Sequence, residues 1–110
     1  MSRSDLLRIQ DILERADLVG AIVSEGKAAF FTEDKNFSAV ERHIEVIGEC
    51  AAQLSQTTKD LYATVPWSEI IGMRNRLAHH YFRINEDNVW GTASRDVPAL
   101  ASALRENLAL

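Results

Sequence analysis

Apolar residues recur at steps of three and four along most of this chain, and no stretch of any length alternates apolar with polar, so the pattern predicts helices and no strands. The first stripe, Leu6, Ile9, Leu13, Ala16, Val19 or Gly20, and Val23, predicts an amphipathic helix from Ser4 to about Ser24. Between Gly26 and Asn36 the period breaks, and the closing Asp34-Lys35-Asn36 reads as a connection in which Phe30 and Phe31 tuck against the neighbouring helices. Ser38 with Glu41 three positions on is a capping-box arrangement, which satisfies the unpaired amides of a helix start. A second helix is expected from there to about Leu54, with Val40, Ile44, Ile47, Ala51 and Leu54 on its apolar face. Gly48 lies inside it, where glycine costs about 1 kcal/mol relative to alanine, so close packing against another helix is the expected compensation.

The pattern weakens from Ser55 to Thr64, with a short helix expected around Lys59 to Tyr62. Pro66 and Ser68 then announce a third long helix that carries Trp67, Ile70, Ile71, Met73, Leu77 and Tyr81 through about Phe82. After Asn85 the chain reads as a short turn of structure around Trp90, a loop at Gly91-Thr92-Ala93, and a last helix opened by Pro98 with Leu100, Leu104 and Leu108 at four-residue steps. Four or five helices on short links predict an all-α antiparallel helical bundle, with residues 1–110 forming one domain and sites lying between facing helices.

Composition changes this picture little. The 46% apolar and 25% charged fractions are those of an ordinary globular chain. The longest apolar runs, such as Leu18 to Val23, fall short of the roughly 20 residues a membrane span needs. The start turns amphipathic at once, which reads as no secretory signal, and Cys50 as the only cysteine suits a reducing cytoplasm. Cys50 sits in an apolar helical run and is expected to be a buried, inert thiol rather than a nucleophile.

Charge narrows the function more. A net charge of −4 argues against a protein that coats nucleic acid nonspecifically, because such binding depends on neutralising many phosphates. The distribution is uneven: no carboxylate occurs between Glu69 and Glu86, whereas Arg74, Arg76, His79, His80 and Arg83 all do. On a wheel of about 100° per residue, Ile70, Met73, Leu77 and Tyr81 cluster on a core face. Arg74, Asn75 and His79 line the border between core and solvent, and Arg76, His80 and Arg83 fall on the outer face.

A guanidinium, a carboxamide and an imidazole on one helix edge are the groups that bind and cleave a phosphodiester without metal. Arginine offers a fixed fork of donors to phosphate oxygens. Histidine moves a proton to or from a ribose hydroxyl near neutral pH. One helix edge supplies only one imidazole certain to reach the phosphate, and a two-fold dimer apposing two such helices would bring a second. His79 and His80 are not expected to hold a metal, since adjacent helix positions diverge by about 100° and no nearby cysteine or carboxylate completes a site. No cofactor is expected either.

The order Arg74-Asn75, three residues, His79, one residue, Tyr81 is similar to the Arg-x-x-x-x-His motif with trailing tyrosine of the HepT-like toxins of the HEPN superfamily. Ile47 to Ala51, Pro66-Trp67 with Ile71 to Asn75, and Val89-Trp90 before Asp96 to Pro98 also resemble the corresponding stretches, so that about Leu6 to Leu108 is covered.

The resemblance implies a HEPN-like helical homodimer acting as a metal-independent endoribonuclease on tRNA or mRNA. Arg74 and His79 would be catalytic, with Asn75, Arg76 and His80 supporting or holding RNA. Glu49 is either a residue that crosses to hold Arg74 or a plain surface glutamate. The resemblance further implies a small nucleotidyltransferase antitoxin, MntA-like, able to adenylylate Tyr81 and so place bulk and negative charge in the RNA groove. The position after the motif histidine, often glycine in that family, is His80 here. The competing function is a noncatalytic HEPN module that holds nucleotide or RNA for a nucleotidyltransferase. Such a module needs the cation but no proton carrier.

Overall fold

The computed structural model describes residues 1–78 and 86–108. Within them every regular element is helical. Helix α1 spans Arg3–Val23, α2 Lys27–Thr32, α3 Asp34–Gln53, α4 Gln56–Leu61, α5 Trp67–Ala78 and α6 Glu86–Gly91. A π-helical turn over Thr92–Asp96 then leads directly into α7, Val97–Leu108.

Helix α3 is central, packed along α1 on one side and α5 on the other, while α7 closes against α1. Two contacts fix α1 and α3 as antiparallel: Asp5 near the start of α1 meets Ser55 just past the end of α3, and Arg15 further along α1 meets His43. The core between the layers comprises Ile9, Ile12 and Val19 of α1, Val40, Ile44 and Ile47 of α3, Ile70 and Leu77 of α5, and Leu100 and Leu104 of α7. Each such side chain contributes about 1.5–3 kcal/mol by leaving water. The all-α bundle expected from the pattern is therefore present, with its apolar faces on α3, α5 and α7 where the spacing puts them.

On α1 the inward face is rotated from the expected one. Asp5, Ile9, Ile12, Ala16 and Val19 point inward, while Leu6 remains 38% exposed. The reason is the polar anchor at Asp5, whose carboxylate accepts from Ser55 Oγ at 2.6 Å and Thr58 Oγ1 at 2.7 Å. That requirement turns position 5 inward and Leu6 outward. The same serine caps α4, accepting the Thr58 N–H at 3.2 Å, so the short helix starts at Gln56 rather than around Lys59.

The expected connection over Gly26–Asn36 contains helix α2, and α3 begins at Asp34, before the capping box that Ser38 and Glu41 suggested. Ser38 is an exposed residue inside α3. The earlier start follows from aromatic packing, since Phe30 touches Phe37 with ring centroids 5.6 Å apart and Trp90 at 5.1 Å. Asn36 is buried and donates Nδ2–H to the Ala29 carbonyl, and Asp34 in the first turn complements the helix dipole.

The expected loop at Gly91-Thr92-Ala93 is helical as well. Gly91 has right-handed helical angles, and all three residues are buried. The hydroxyls that would favour a turn bond backward along the helix instead, Thr92 Oγ1 to the Asn88 carbonyl and Ser94 Oγ to the Trp90 carbonyl. The π turn, closed by the Val97 N–H on the Thr92 carbonyl, sits just before Pro98, which has no N–H to give a regular ladder.

Candidate active site

The site grows from the contact between α3 and α5. Gly48 is buried on the face of α3 that meets Arg74 of α5, and a Cβ built on Gly48 would overlap Arg74 Cβ and lie 2.6 Å from Arg74 Cγ. Glycine at this position is what lets the stem of Arg74 lie on the α3 backbone. The close helix packing expected of Gly48 is thus present, and its partner is the candidate catalytic arginine.

Arg74 is half-buried, so its stem is packed while its head reaches the surface. Arg74 Nη1 donates to Asn75 Oδ1 at 2.9 Å, which steers the guanidinium along the solvent edge of the helix. Among the described residues no carboxylate lies within ion-pair distance of Arg74 or Arg76. Glu49 neighbours Gly48, is half-buried, and makes no ion pair with Arg74 among the described residues. Ile70, Met73 and Leu77 are buried, as the wheel requires, and Asn75 and Arg76 are exposed. Arg76 folds back toward Gly72 and faces a cavity on the other flank of α5. His79, His80, Tyr81 and Arg83 lie outside the described residues.

Cys50, expected to be buried, is less enclosed than that. It is half-buried, and loss of hydration, reinforced by the Asp11 and Glu49 carboxylates, pushes its thiol up from the ordinary range. Among the described residues no group of three histidine, cysteine, aspartate or glutamate side chains is placed to hold a metal ion.

One chemically active residue escaped the reading of the sequence. His43 of α3 is half-buried with Nδ1 3.1 Å from Arg15 Nη1. A guanidinium can only donate, so Nδ1 accepts and the ring proton sits on Nε2. Burial first, and then the Arg15 charge, push His43 below the usual histidine range, keeping it neutral at pH 7. The available signal was its position three residues after Val40 and four before Ile47, at the edge of the apolar stripe of α3. Gly48 and His43 look out from different sides of α3, toward α5 and α1 respectively.

Comparison with known proteins places these features in a lineage. Residues 12–106 match the family model described as Ribonuclease HepT-like. The chain is 34% identical over 101 residues to the "Probable ribonuclease HepT" of Thermococcus cleftensis, covering 91% of this chain and 92% of that protein. It is 33% identical over 102 residues to a "Putative RNase" of Methanocaldococcus jannaschii, covering 91% and 94%. A "Putative RNase" of Caldanaerobacter subterraneus is 37% identical over 70 residues, 64% of this chain, and that likeness spans 62% of the relative's length. No solved structure matches the chain.

Proposed function

The chain belongs to the ribonuclease HepT-like family, and from that premise we propose that it is an endoribonuclease whose cleavage centre is the solvent edge of α5, with Arg74 and His79 as catalytic residues. The observation that carries this reading is Arg74 itself. Its stem is wedged on Gly48, its head is steered by Asn75, and among the described residues no carboxylate neutralises it. An arginine held by packing and lacking a counter-ion is prepared for an external anion, and a phosphodiester is the anion its forked donors fit.

In this mechanism the 2′-oxygen of a ribose attacks the adjacent phosphorus as His79 takes the hydroxyl proton. The bond to the 5′-oxygen of the next nucleotide breaks, and that oxygen receives a proton. The products are a 2′,3′-cyclic phosphate and a 5′-hydroxyl. Arg74 stabilises the extra negative charge on the phosphoryl oxygens in the transition state, so no metal is required. Asn75 holds the guanidinium, while Arg76 and His80 extend the cationic surface along the RNA strand. Two subunits apposed across α5 would bring a second imidazole for the leaving oxygen.

The same reading includes a toxin acting on tRNA or mRNA in the cytoplasm, and an MntA-like nucleotidyltransferase antitoxin that silences it by adenylylating Tyr81. No described helix is long and apolar enough to cross a membrane. The test is incubation of pure protein with total RNA in EDTA beside Arg74→Ala and His79→Ala. Cleavage by the native chain and a loss of roughly 10²–10⁴-fold in each variant are expected. No cleavage by the native chain, or equal cleavage by all three, would overturn the reading.

A further inference from the structure

On the flank of α5 turned away from Gly48 lies a cavity of about 440 Å³ of which the cleavage reading draws on Arg76 alone. Its floor is apolar and buried, formed by Ile70 and Met73 of α5. Its rim is polar and open to solvent: Glu69 and Arg76 come from α5 and Asp96 from the π turn, with Thr92 set lower beside the floor. A smaller apolar recess continues beneath it toward Ile44, Ile47 and Leu100, sharing Ile70, Met73 and Asp96 with the cavity above. The volume falls in the roughly 300–1,000 Å³ range of small-molecule sites, and a flat apolar floor with a few convergent polar groups is their usual construction.

Thr92 and Asp96, which line the cavity together with α5, are the first and last residues of the π turn between α6 and α7. Such π segments concentrate at functional sites. Thr92 Oγ1 already donates to the Asn88 carbonyl, whereas Asp96, Glu69 and Arg76, with the Ser68 hydroxyl beside them, are exposed polar groups of the lining. None of the three charged groups is engaged in an ion pair among the described residues.

We propose that this cavity receives a guanine base of the single-stranded RNA substrate and makes cleavage favour positions next to guanosine. The inference rests on the ribonuclease reading for its substrate. Guanine is the RNA base whose edges match both rim charges. Its Watson–Crick edge presents N1–H and N2–H₂, a pair of donors that one carboxylate accepts in parallel. Its O6 and N7 are acceptors that an arginine fork meets bidentately. Asp96 takes the donor edge, Glu69 serves as a second acceptor at the rim, and Arg76 takes O6 and N7. The ring lies on Met73 and Ile70. Adenine presents an amino group where O6 would stand and offers no N1–H. Cytosine and uracil have no counterpart of the O6 and N7 acceptor pair. Unpaired bases are the ones a protein can read in this way, since pairing occupies the Watson–Crick edge and the deep, narrow major groove of paired RNA does not admit side chains.

The experiment uses the full chain and four 2′-O-methyl tetranucleotides that differ in one central base. They cannot be cleaved, so binding is measured apart from catalysis. The guanine-containing probe is expected to bind about tenfold more tightly than the others, the discrimination that a bidentate pair provides. Asp96→Asn is expected to shrink that ratio to about twofold or less and Glu69→Gln to reduce it partly, with unchanged helical circular dichroism in both. A parallel map of cleavage on a defined single-stranded RNA separates the two claims. Cleavage without base preference, together with equal binding of the four probes, overturns the guanine pocket and leaves the ribonuclease reading standing. Guanine-selective binding with no cleavage supports the pocket and removes the ribonuclease reading. Binding of none of the probes overturns the pocket outright.

Discussion

Arg74 rests its Cβ and Cγ on the backbone of Gly48, so that the candidate catalytic cation is itself part of the tight packing of α3 on α5. This couples fold to chemistry. Gly48→Ala puts a methyl group where Arg74 Cβ lies, and the clash falls on the root of the side chain, which cannot swing aside. Alanine gains about 1 kcal/mol of helix propensity over glycine, and overpacking costs about 1–3 kcal/mol. The expected net result is a destabilisation of about 1 kcal/mol by urea unfolding, with RNA cleavage lost out of proportion because the guanidinium is displaced. Unchanged stability and unchanged cleavage together would show that the contact matters to neither.

A second prediction concerns the polar anchor between the starts of α1 and α4. Asp5 accepts hydrogen bonds from Ser55 Oγ and Thr58 Oγ1, and these hold its carboxyl below the usual carboxylate range. A folded-state pKa below the unfolded one means that the folded chain binds fewer protons, so this stabilisation is complete above the unfolded value of about 4. It is lost as pH falls through the lower folded value. Asp5→Asn should therefore lower the melting temperature at pH 7, and the gap between native and variant chains should stay constant down to about pH 5 and close below pH 4. A gap that persists unchanged at pH 3 would remove the carboxylate as its cause.

Much of this architecture is legible in residue spacing, and the departures share a physical origin. The stripes of α3, α5 and α7 and the packing role of Gly48 follow from local periodicity, because those faces bury apolar groups and little else. The rotation of α1 does not follow, since it is set by a buried aspartate whose partners stand 50 and 53 residues away. The early start of α3 depends on Phe30 meeting Phe37 and Trp90, and the helical Gly91 to Ala93 depends on burial against other elements. In each case a long-range contact outweighed a local turn or cap signal. The border position of Arg74 and the exposure of Arg76 came from the wheel alone, while Asn75, placed on the border by the wheel, is fully on the exposed side. The neutral His43 rests on burial first and on Arg15 second, and the Arg15 contact across 28 residues could not be read locally.

That pair yields a third prediction. Burial and the Arg15 charge hold His43 below the usual histidine range, so charging it costs folding free energy. The folded chain again binds fewer protons than the unfolded one. Stability is at its full value above about pH 6.5 and declines as pH falls through the lower folded value. In an NMR titration the His43 ring should titrate below pH 6.5, and Arg15→Met should move it part of the way back, because burial remains when the charge is gone. A midpoint at or above 6.5 in the native chain would mean that burial and the Arg15 charge do not disfavour the charged ring.

Trp67 offers a test of how α5 is seated. Its indole Nε1 donates to the carbonyls of Lys59 and Tyr62 at 3.3 and 3.2 Å, closing the end of α4 from the first turn of α5. Trp67→Phe keeps most of the packing and removes the donor, with an expected loss of about 1 kcal/mol in urea unfolding. Trp67→Ala adds a cavity beneath a half-buried ring and should cost more. Equal losses in the two variants would place the whole effect in the hydrogen bonds.

The last prediction asks whether Arg74 acts as a charge or as a fork. Lysine keeps the charge but loses the planar pair of donors and the bond that Nη1 makes to Asn75. If transition-state binding depends on two fixed donors, Arg74→Lys should bind noncleavable RNA within a few-fold of the native chain. Its single-turnover cleavage in EDTA should fall by about 10²-fold or more. Arg74→Ala should weaken binding as well and flatten its dependence on salt by about one phosphate contact. Asn75→Ala, which frees the guanidinium without removing it, should fall between the native chain and the lysine variant in cleavage rate, since orientation alone is lost. Native-like cleavage in Arg74→Lys would mean that the position supplies only a point charge, and the forked contact with phosphate would have to be abandoned.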